Sequence, residues 1–194
     1  MKKIIVLLLV LMVVSSVFAF DTGRFSVGIS FGVSGSSEKS TTEGVQVSSG
    51  KFGFVVRARA DYMINDALSA TLMVSYDQPS RTVLESTYLK GRNSLESLKY
   101  IKIFAGISKY STQENLLIAA GIGPELAIEL TNGAVGGGAV TYVRTSYVLP
   151  GSNLTVDSTA VGGAEWIKDM PTDDEAHFYL DGDASVGFTY YFKP

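Results

Sequence analysis

Residues 25 to 34 alternate without a break: Phe25, Val27, Ile29, Phe31 and Val33 are apolar, and Ser26, Gly28, Ser30, Gly32 and Ser34 lie between them. Period two puts the two sets on opposite faces of an extended strand. The make-up of the second set matters more than the alternation itself. A sheet that turns one face to water fills it with charged and long polar side chains, whereas Gly and Ser are small enough for the crowded inside of a narrow barrel. The apolar face is then the outer one, and about ten residues tilted by ~45° cross the hydrocarbon core of a bilayer.

The same reading predicts seven more strands. The second covers residues 51–64, with Phe52, Phe54, Val56, Ala58, Ala60, Tyr62 and Ile64 outward and Arg57, Arg59 and Asp61 inward. Asn65-Asp66 turns the chain into the third, which has Leu68, Ala70, Leu72, Val74 and Tyr76 outward and Ser69, Thr71, Met73, Ser75 and Asp77 inward. The fourth, residues 95–108, is assigned with Tyr100, Lys102, Phe104 and Gly106 inward. A compact turn over 109–115 leads to the fifth, whose inward set is Ala119, Gly121, Gly123, Glu125, Ala127 and Glu129. Pro124 has no N–H to give to a ladder and marks a bulge or a weak point there. The sixth strand (139–149) is assigned with Arg144 inside. The seventh (153–162) has Thr155, Asp157 and Thr159 inside, and the eighth (177–192) has Asp181 and Asp183 inside. The pattern alone leaves the parity of the fourth, sixth and seventh strands open.

Residues 35–50, 77–93, 131–138 and 163–176 read as long polar connections, and those after the second, fourth and sixth strands as short turns. Long connections at one end, short turns at the other and both chain ends on the short-turn side suit a barrel inserted from the periplasm. The expected fold class is therefore all-β: an eight-stranded antiparallel up-and-down transmembrane β-barrel.

Lys2 and Lys3 precede an apolar run from Ile4 to Val14, followed by Ser15, Ser16 and Ala19. This is the pattern of a secretory signal with cleavage after Ala19, dividing the chain into a signal peptide, 1–19, and a barrel domain, 20–194. The run is too short to span a bilayer comfortably as a helix, and no second run of ~20 apolar residues follows. There is no cysteine, which excludes a disulfide scaffold and a cysteine-acylated lipoprotein. Removing Lys2 and Lys3 takes the formal net charge from -3 to -5, which argues against a nucleic-acid partner.

The stretch Ser185-Val-Gly-Phe-Thr-Tyr-Tyr-Phe192 places Val186, Phe188, Tyr190 and Phe192 on one face. With Ser185, Gly187, Tyr190 and Phe192 it resembles the C-terminal assembly signal of bacterial outer-membrane barrels. The resemblance implies that the barrel-insertion machinery reads this strand before it closes the sheet. It departs from the family in one respect, since Lys193 and Pro194 follow the aromatic residue. As architecture, the whole of 20–194 is similar to the small OmpA, OmpX and OmpW-type barrels. The partners this implies are membrane lipid, the insertion machinery and an unidentified extracellular partner.

His177 is the only histidine. Barrel hydrolases of the PagL type carry a His and a Ser two positions apart on one strand; here Phe178 and Tyr179 follow His177, and the next serine is Ser185. No catalytic residue is expected, and His177 reads as a rim residue. Asp169, Asp173, Asp174 and Glu175 lack the alternate spacing of a metal loop, and Gly133 to Gly138 lacks the Lys-Ser/Thr of a phosphate loop, so no metal or cofactor is expected. Trp166, Tyr62, Tyr76 and Tyr190 read as girdle residues at the membrane interfaces.

The inward charges are more informative. Arg57, Arg59, Lys102 and Arg144 share the interior with Asp61, Asp77, Glu125, Glu129, Asp157, Asp181 and Asp183. In an interior no wider than its own side chains these should pair and plug the barrel; the alternative is a selective polar conduit. Three functions follow. One is a non-enzymatic outer-membrane barrel acting in envelope structure, adhesion or surface interaction through its outer loops. Another is OmpW-like passage of small hydrophobic molecules. The third is a soluble secreted ligand-binding barrel of lipocalin type.

Overall fold

The computed structural model describes residues 24–42, 45–81, 99–130, 133–168 and 176–192, with side chains throughout except over 36–51, 79–81, 167–168 and 176–179. The expected signal peptide, the carboxylates at 169–175 and the pair Lys193-Pro194 lie outside the described residues. So does the side chain of His177.

Eight antiparallel strands close on themselves in sequence order: β1 (Phe25–Thr42), β2 (Val45–Asn65), β3 (Leu68–Arg81), β4 (Tyr100–Gln113), β5 (Leu116–Glu129), β6 (Val135–Val148), β7 (Leu154–Lys168) and β8 (Ala176–Tyr191). Closure is made by β1 on β8, with Ser26 opposite Tyr191 and Lys39 opposite Phe178. Phe192 extends the seam by donating its N–H to the carbonyl of Phe25 at 3.0 Å. β2 and β3, β4 and β5, and β6 and β7 are joined at one end by tight turns. Asn65 caps the first of these, its Oδ1 accepting from the N–H groups of Ala67 and Leu68 at 2.9 Å each. Glu114 takes a left-handed φ of 51° in the second, and Gly151 one of 73° in the third.

The sidedness is inverted relative to a water-soluble barrel. Ile29, Phe31, Val33, Phe54, Ile107, Ile122, Val143, Val156, Val186 and Phe188 all stand exposed on the outer wall, Phe31 with 54% and Val186 with 65% of its surface open. Arg57, Arg59, Asp61, Lys102, Arg144 and Asp157 are buried inside. This is a transmembrane barrel, and the lipocalin reading fails on it: a soluble barrel exposes its charges and hides its bulky apolar groups. Aromatic residues gather at both ends of the apolar band. Tyr190 and Phe192 meet edge-on at 5.1 Å at the turn end, and Phe54 and Tyr76 lie 5.8 Å apart at the far end. Along β2, the stretch from Phe52 to Tyr62 spans about 33 Å of strand, or about 25 Å of height at a tilt of ~40°, which matches an outer-membrane band. Phe25 keeps the outward parity but is covered, its ring 5.8 Å from that of Phe192.

Several boundaries differ from the sequence expectation. The connection expected over 35–50 is mostly strand: β1 and β2 go on pairing from Ser36 opposite Lys51 to Thr42 opposite Val45. β3 runs on to Arg81, and β4 is described from Tyr100 and continues to Gln113, through what reads as a turn, while the expected start at 95 lies outside the described residues. β6 begins at Val135, inside the expected Gly-rich loop, and β7 continues to Lys168, through the expected acidic connection. Among the described residues, part of the long connections is thus strand extension at the far end. A hairpin that rises out of the bilayer has water on both faces, so its residues are polar on both faces and period two disappears. Pro124 produces a weak point and no bulge: Phe104 still faces Glu125 and Ile107 still faces Ile122, but the partner pairs at Gly123 and Pro124 lapse. The one register shift in the β2–β3 ladder is between Met63 and Asn65.

Candidate functional site

An eight-stranded barrel has only its interior and its ends in which to build a site, and the interior here is filled by its own side chains. Near the turn end the hub is Asp61 of β2. Its Oδ1 accepts from the Thr71 hydroxyl at 2.8 Å, and its Oδ2 accepts from Arg144 at 3.0 Å, Arg59 Nε at 3.1 Å and Ser26 at 3.3 Å. Asp157 of β7 receives Arg59 Nη2 at 3.0 Å, the Thr155 hydroxyl at 2.7 Å and the Thr189 hydroxyl. Arg144, with no exposed surface, also donates to the Tyr110 hydroxyl at 2.7 Å, and its guanidinium carbon is 5.3 Å from the centre of that ring. Two arginines and two carboxylates balance, which buried charge requires.

Local sequence makes the crossing possible. Arg59 reaches from β2 over β1 to β8 and β7, and the β1 residue it passes is Gly28, opposite it in the register. A Cβ on Gly28 would lie 3.1 Å from Arg59 Nη2 and against the Thr189 hydroxyl. Beside the hub, the hydroxyls of Thr71, Ser108 and Tyr142 gather within hydrogen-bonding distance, Thr71 2.7 Å from Ser108 and 3.0 Å from Tyr142, with Ser108 against Tyr142 as well.

Toward the far end a second cluster surrounds Lys102 of β4. Its Nζ donates to Glu165 at 2.8 Å and to Asp181, and lies 3.8 Å from Asp77 and 4.0 Å from Glu125. One ammonium is thus shared by carboxylates from β3, β5, β7 and β8. Arg57 of β2 crosses β1 to pair with Asp183 and donates to Ser185 at 3.3 Å, while Ser34 donates to Asp77.

Between the two clusters lies an apolar layer of Met73, Phe104, Val140 and Tyr142, with Val161 packed against it. Phe104 and Tyr142 meet edge-to-face, ring centres 5.8 Å apart at 86°, a favoured aromatic geometry. The wall is notched for these side chains: a Cβ on Gly106 would strike the Phe104 ring, one on Gly121 the Tyr142 ring, and one on Gly163 would lie 2.7 Å from Val140 Cγ2.

Every inward charge singled out from the sequence faces this lumen. Arg59, Asp61, Arg144 and Asp157 meet in the first cluster and Lys102 and Glu125 in the second. Arg57 stands between them with Asp183, and Glu129 is buried near the far end. In the terminal stretch, Ser185 receives Arg57 inside the lumen, and Gly187 faces Ser30 so closely that a Cβ would meet its Cα at 2.6 Å. Tyr190 is exposed on the outer face next to Phe192. Sequence reasoning missed Glu165 and Tyr110, placed in expected connections, and the partner roles of Tyr142 and Thr189. Carrying the parity of Thr155, Asp157 and Thr159 through Val161 and Gly163 lands on Glu165; the glycines at 162 and 163 made that stretch look like a loop. Among the described residues no group of three or more His, Cys, Asp or Glu is arranged to hold a metal ion.

No family model matches the chain, and no curated protein matches its sequence. Among solved structures it is similar to Neisserial surface protein A, with a TM-score of 0.52 and 18% identity over 87% of this chain and 97% of that one. It is also similar to the outer membrane protein OprG of Pseudomonas aeruginosa (TM-score 0.49, 14% identity, 89% and 98%). A third is Ail, the attachment invasion locus protein of Yersinia pestis (TM-score 0.44, 16% identity, 86% and 99%). At these identities the likeness is one of fold. With the inverted sidedness, the fold shared with Neisserial surface protein A is that of a small eight-stranded transmembrane β-barrel.

Proposed function

We propose that the protein is a non-enzymatic outer-membrane barrel whose lumen is closed and structural, and whose work is done at the far end. There β1 and β2 go on pairing from Ser36 opposite Lys51 to Thr42 opposite Val45, and this end serves envelope structure, adhesion or surface interaction. The observation that carries this reading is the lumen itself: its four buried bases are each paired with carboxylates, Arg57 with Asp183, Arg59 with Asp61 and Asp157, Arg144 with Asp61, and Lys102 with Glu165 and Asp181. Export follows from the pattern of residues 1–19. Insertion follows from the barrel machinery reading Ser185 to Phe192, which puts the tight turns in the periplasm. The test is fractionation: the mature chain should sediment with outer membranes, need detergent for release and run with heat-modifiable mobility, and recovery as a soluble periplasmic protein overturns the proposal.

A second reading, lateral passage of small hydrophobic molecules, is favoured by the lapse of the β4–β5 ladder at Gly123 and Pro124 in the middle of the apolar wall. Substituting Pro124→Val restores a donor there. Uptake of a small apolar probe into vesicles that falls with this change would support passage, and uptake no different from protein-free vesicles would dismiss it.

A further inference from the structure

Opposite-sign pairs at both levels of the lumen suggest that charge is what stops ions. The geometry points elsewhere: we infer that the ion seal of this barrel is the thin layer between the clusters, an apolar sector made by Met73, Phe104, Val140, Tyr142 and Val161 and completed by Arg57. The inference concerns the lumen alone and is independent of any surface role. A paired cluster is hydrophilic and, once water enters, lets small ions exchange along its partners. An apolar constriction stops ions by expelling the water they need.

Chain order sets the layer between the clusters on every strand that contributes to it. Met73 lies between Thr71 and Asp77 on β3, Phe104 between Ser108 and Lys102 on β4, and Val161 between Asp157 and Glu165 on β7. Val140 lies between Arg144 and Gly138 on β6, and Gly138 faces both Glu125 and Glu165. Met73 faces Phe104 directly across the β3–β4 ladder, and Tyr142 faces Val161 across the β6–β7 ladder. The sector of β8, β1 and β2 has no apolar member at this level except Val55. Val161 stands opposite Asp183, and Gly32 has no side chain and so leaves the crossing to Arg57, which bonds Asp183 and Ser185. Arg57 fills the gap in an otherwise dry ring. Phe104 and Val140 are 1% exposed, so no route past them exists without moving a side chain.

The test is single-channel recording in planar bilayers on the refolded full chain, each variant first checked for heat-modifiable mobility. The parent should show no stable conductance. Phe104→Ala removes the largest wholly apolar side chain of the layer, and Val140→Thr keeps its shape while making it wettable, so folding failure of the first leaves the second to answer. Both should raise the current about tenfold or more above baseline. Arg57→Ala should open the polar sector and pass cations preferentially, because Asp183 is left uncompensated, read as a shift in reversal potential. Glu165→Gln and Arg144→Met, on either side of the layer, should remain silent. Conductance in Glu165→Gln or Arg144→Met together with silence in folded Phe104→Ala and Val140→Thr would return the barrier to the charge pairs. Silence in all folded variants, or a conducting parent, would equally overturn the assignment.

Discussion

Replacing Asp61 with Ala should be among the most damaging single changes in the lumen, and its cost can be worked from the contacts. The substitution strips acceptors from Thr71, Ser26, Arg59 and Arg144 together. Arg59 retains Asp157 at 3.0 Å, but Arg144 is left with only the Tyr110 hydroxyl and ring. A fully enclosed guanidinium that has lost its directly bonded carboxylate is the costly half of a broken ion pair, about 3–5 kcal/mol. Asp61→Asn keeps the shape and, with its carbonyl at the Oδ2 position, an acceptor for Arg144, Arg59 and Ser26, but it loses the charge and sets an NH2 group where Oδ1 accepted from Thr71; it should lose roughly half as much. In the double variant Asp61→Leu with Arg144→Met both charges of the pair are gone, and the loss should shrink to about 1–2 kcal/mol, because an apolar replacement of a whole buried pair is close to neutral. The coupling between the two sites should therefore be about 2 kcal/mol or more. Denaturant unfolding of the refolded barrel in detergent reads these variants together with the singles Asp61→Leu and Arg144→Met that close the cycle, followed by gel mobility and by the fluorescence of Trp166, the only tryptophan, which stands on the outer wall. If Asp61→Ala lies within about 1 kcal/mol of the parent, or if the double variant costs the sum of the singles, the hub does not hold this lumen together.

Gly121→Ala should cost about 1–3 kcal/mol of unfolding free energy by pushing the Tyr142 ring off the wall, while Gly162→Ala, with nothing within 4 Å of the new carbon, should be neutral to slightly stabilising; equal effects at the two sites would show that the wall notches are not required. Phe192→Ala should lose only about 1–3 kcal/mol in vitro, because the burial at an interface is partial and the Phe192 backbone bond to Phe25 is unaffected. In the cell its outer-membrane level should fall far further if Ser185 to Phe192 is read as an assembly signal, and a level that tracks in-vitro stability would make the stretch a strand and nothing more.

How much of this was readable from the chain depended on where each residue meets lipid. β1, β2, β3 and β8 show their parity because lipid demands apolar groups at every second position and the lumen demands small or polar ones at the rest. Phe31 against Ser30 and Val186 against Gly187 leave no second choice. β7 was cut short because Gly162 and Gly163 interrupt the apolar set, although Gly163 is there to make room for Val140. β4 was cut short because Tyr110 to Gln113 is polar, although Tyr110 faces inward to meet Arg144. The pairing partners were out of reach for a different reason. Arg57 to Asp183, Arg59 to Asp157 and Arg144 to Asp61 join strands that are not neighbours in the sheet, so their contacts depend on barrel closure and on which wall residues are glycine, and no local period encodes either.

The apolar layer is informative because the fold has no need of it for burial. In a water-soluble domain apolar side chains go inside because that is where water is absent. Here the lipid-facing wall already takes Phe31, Ile122, Val143 and their like, and the interior is free to be polar, as it is around Asp61 and around Lys102. A continuous polar filling would have satisfied the hydrogen bonds and left a wettable axis. Met73, Phe104 and Val140 interrupt it, and the wall carries glycine at 106, 121 and 163 to seat Phe104, Tyr142 and Val140. Each such glycine weakens its strand relative to a residue with a side chain. A barrel that gives up strand stability in several places to hold one dry layer is built to keep the two ends of its lumen apart.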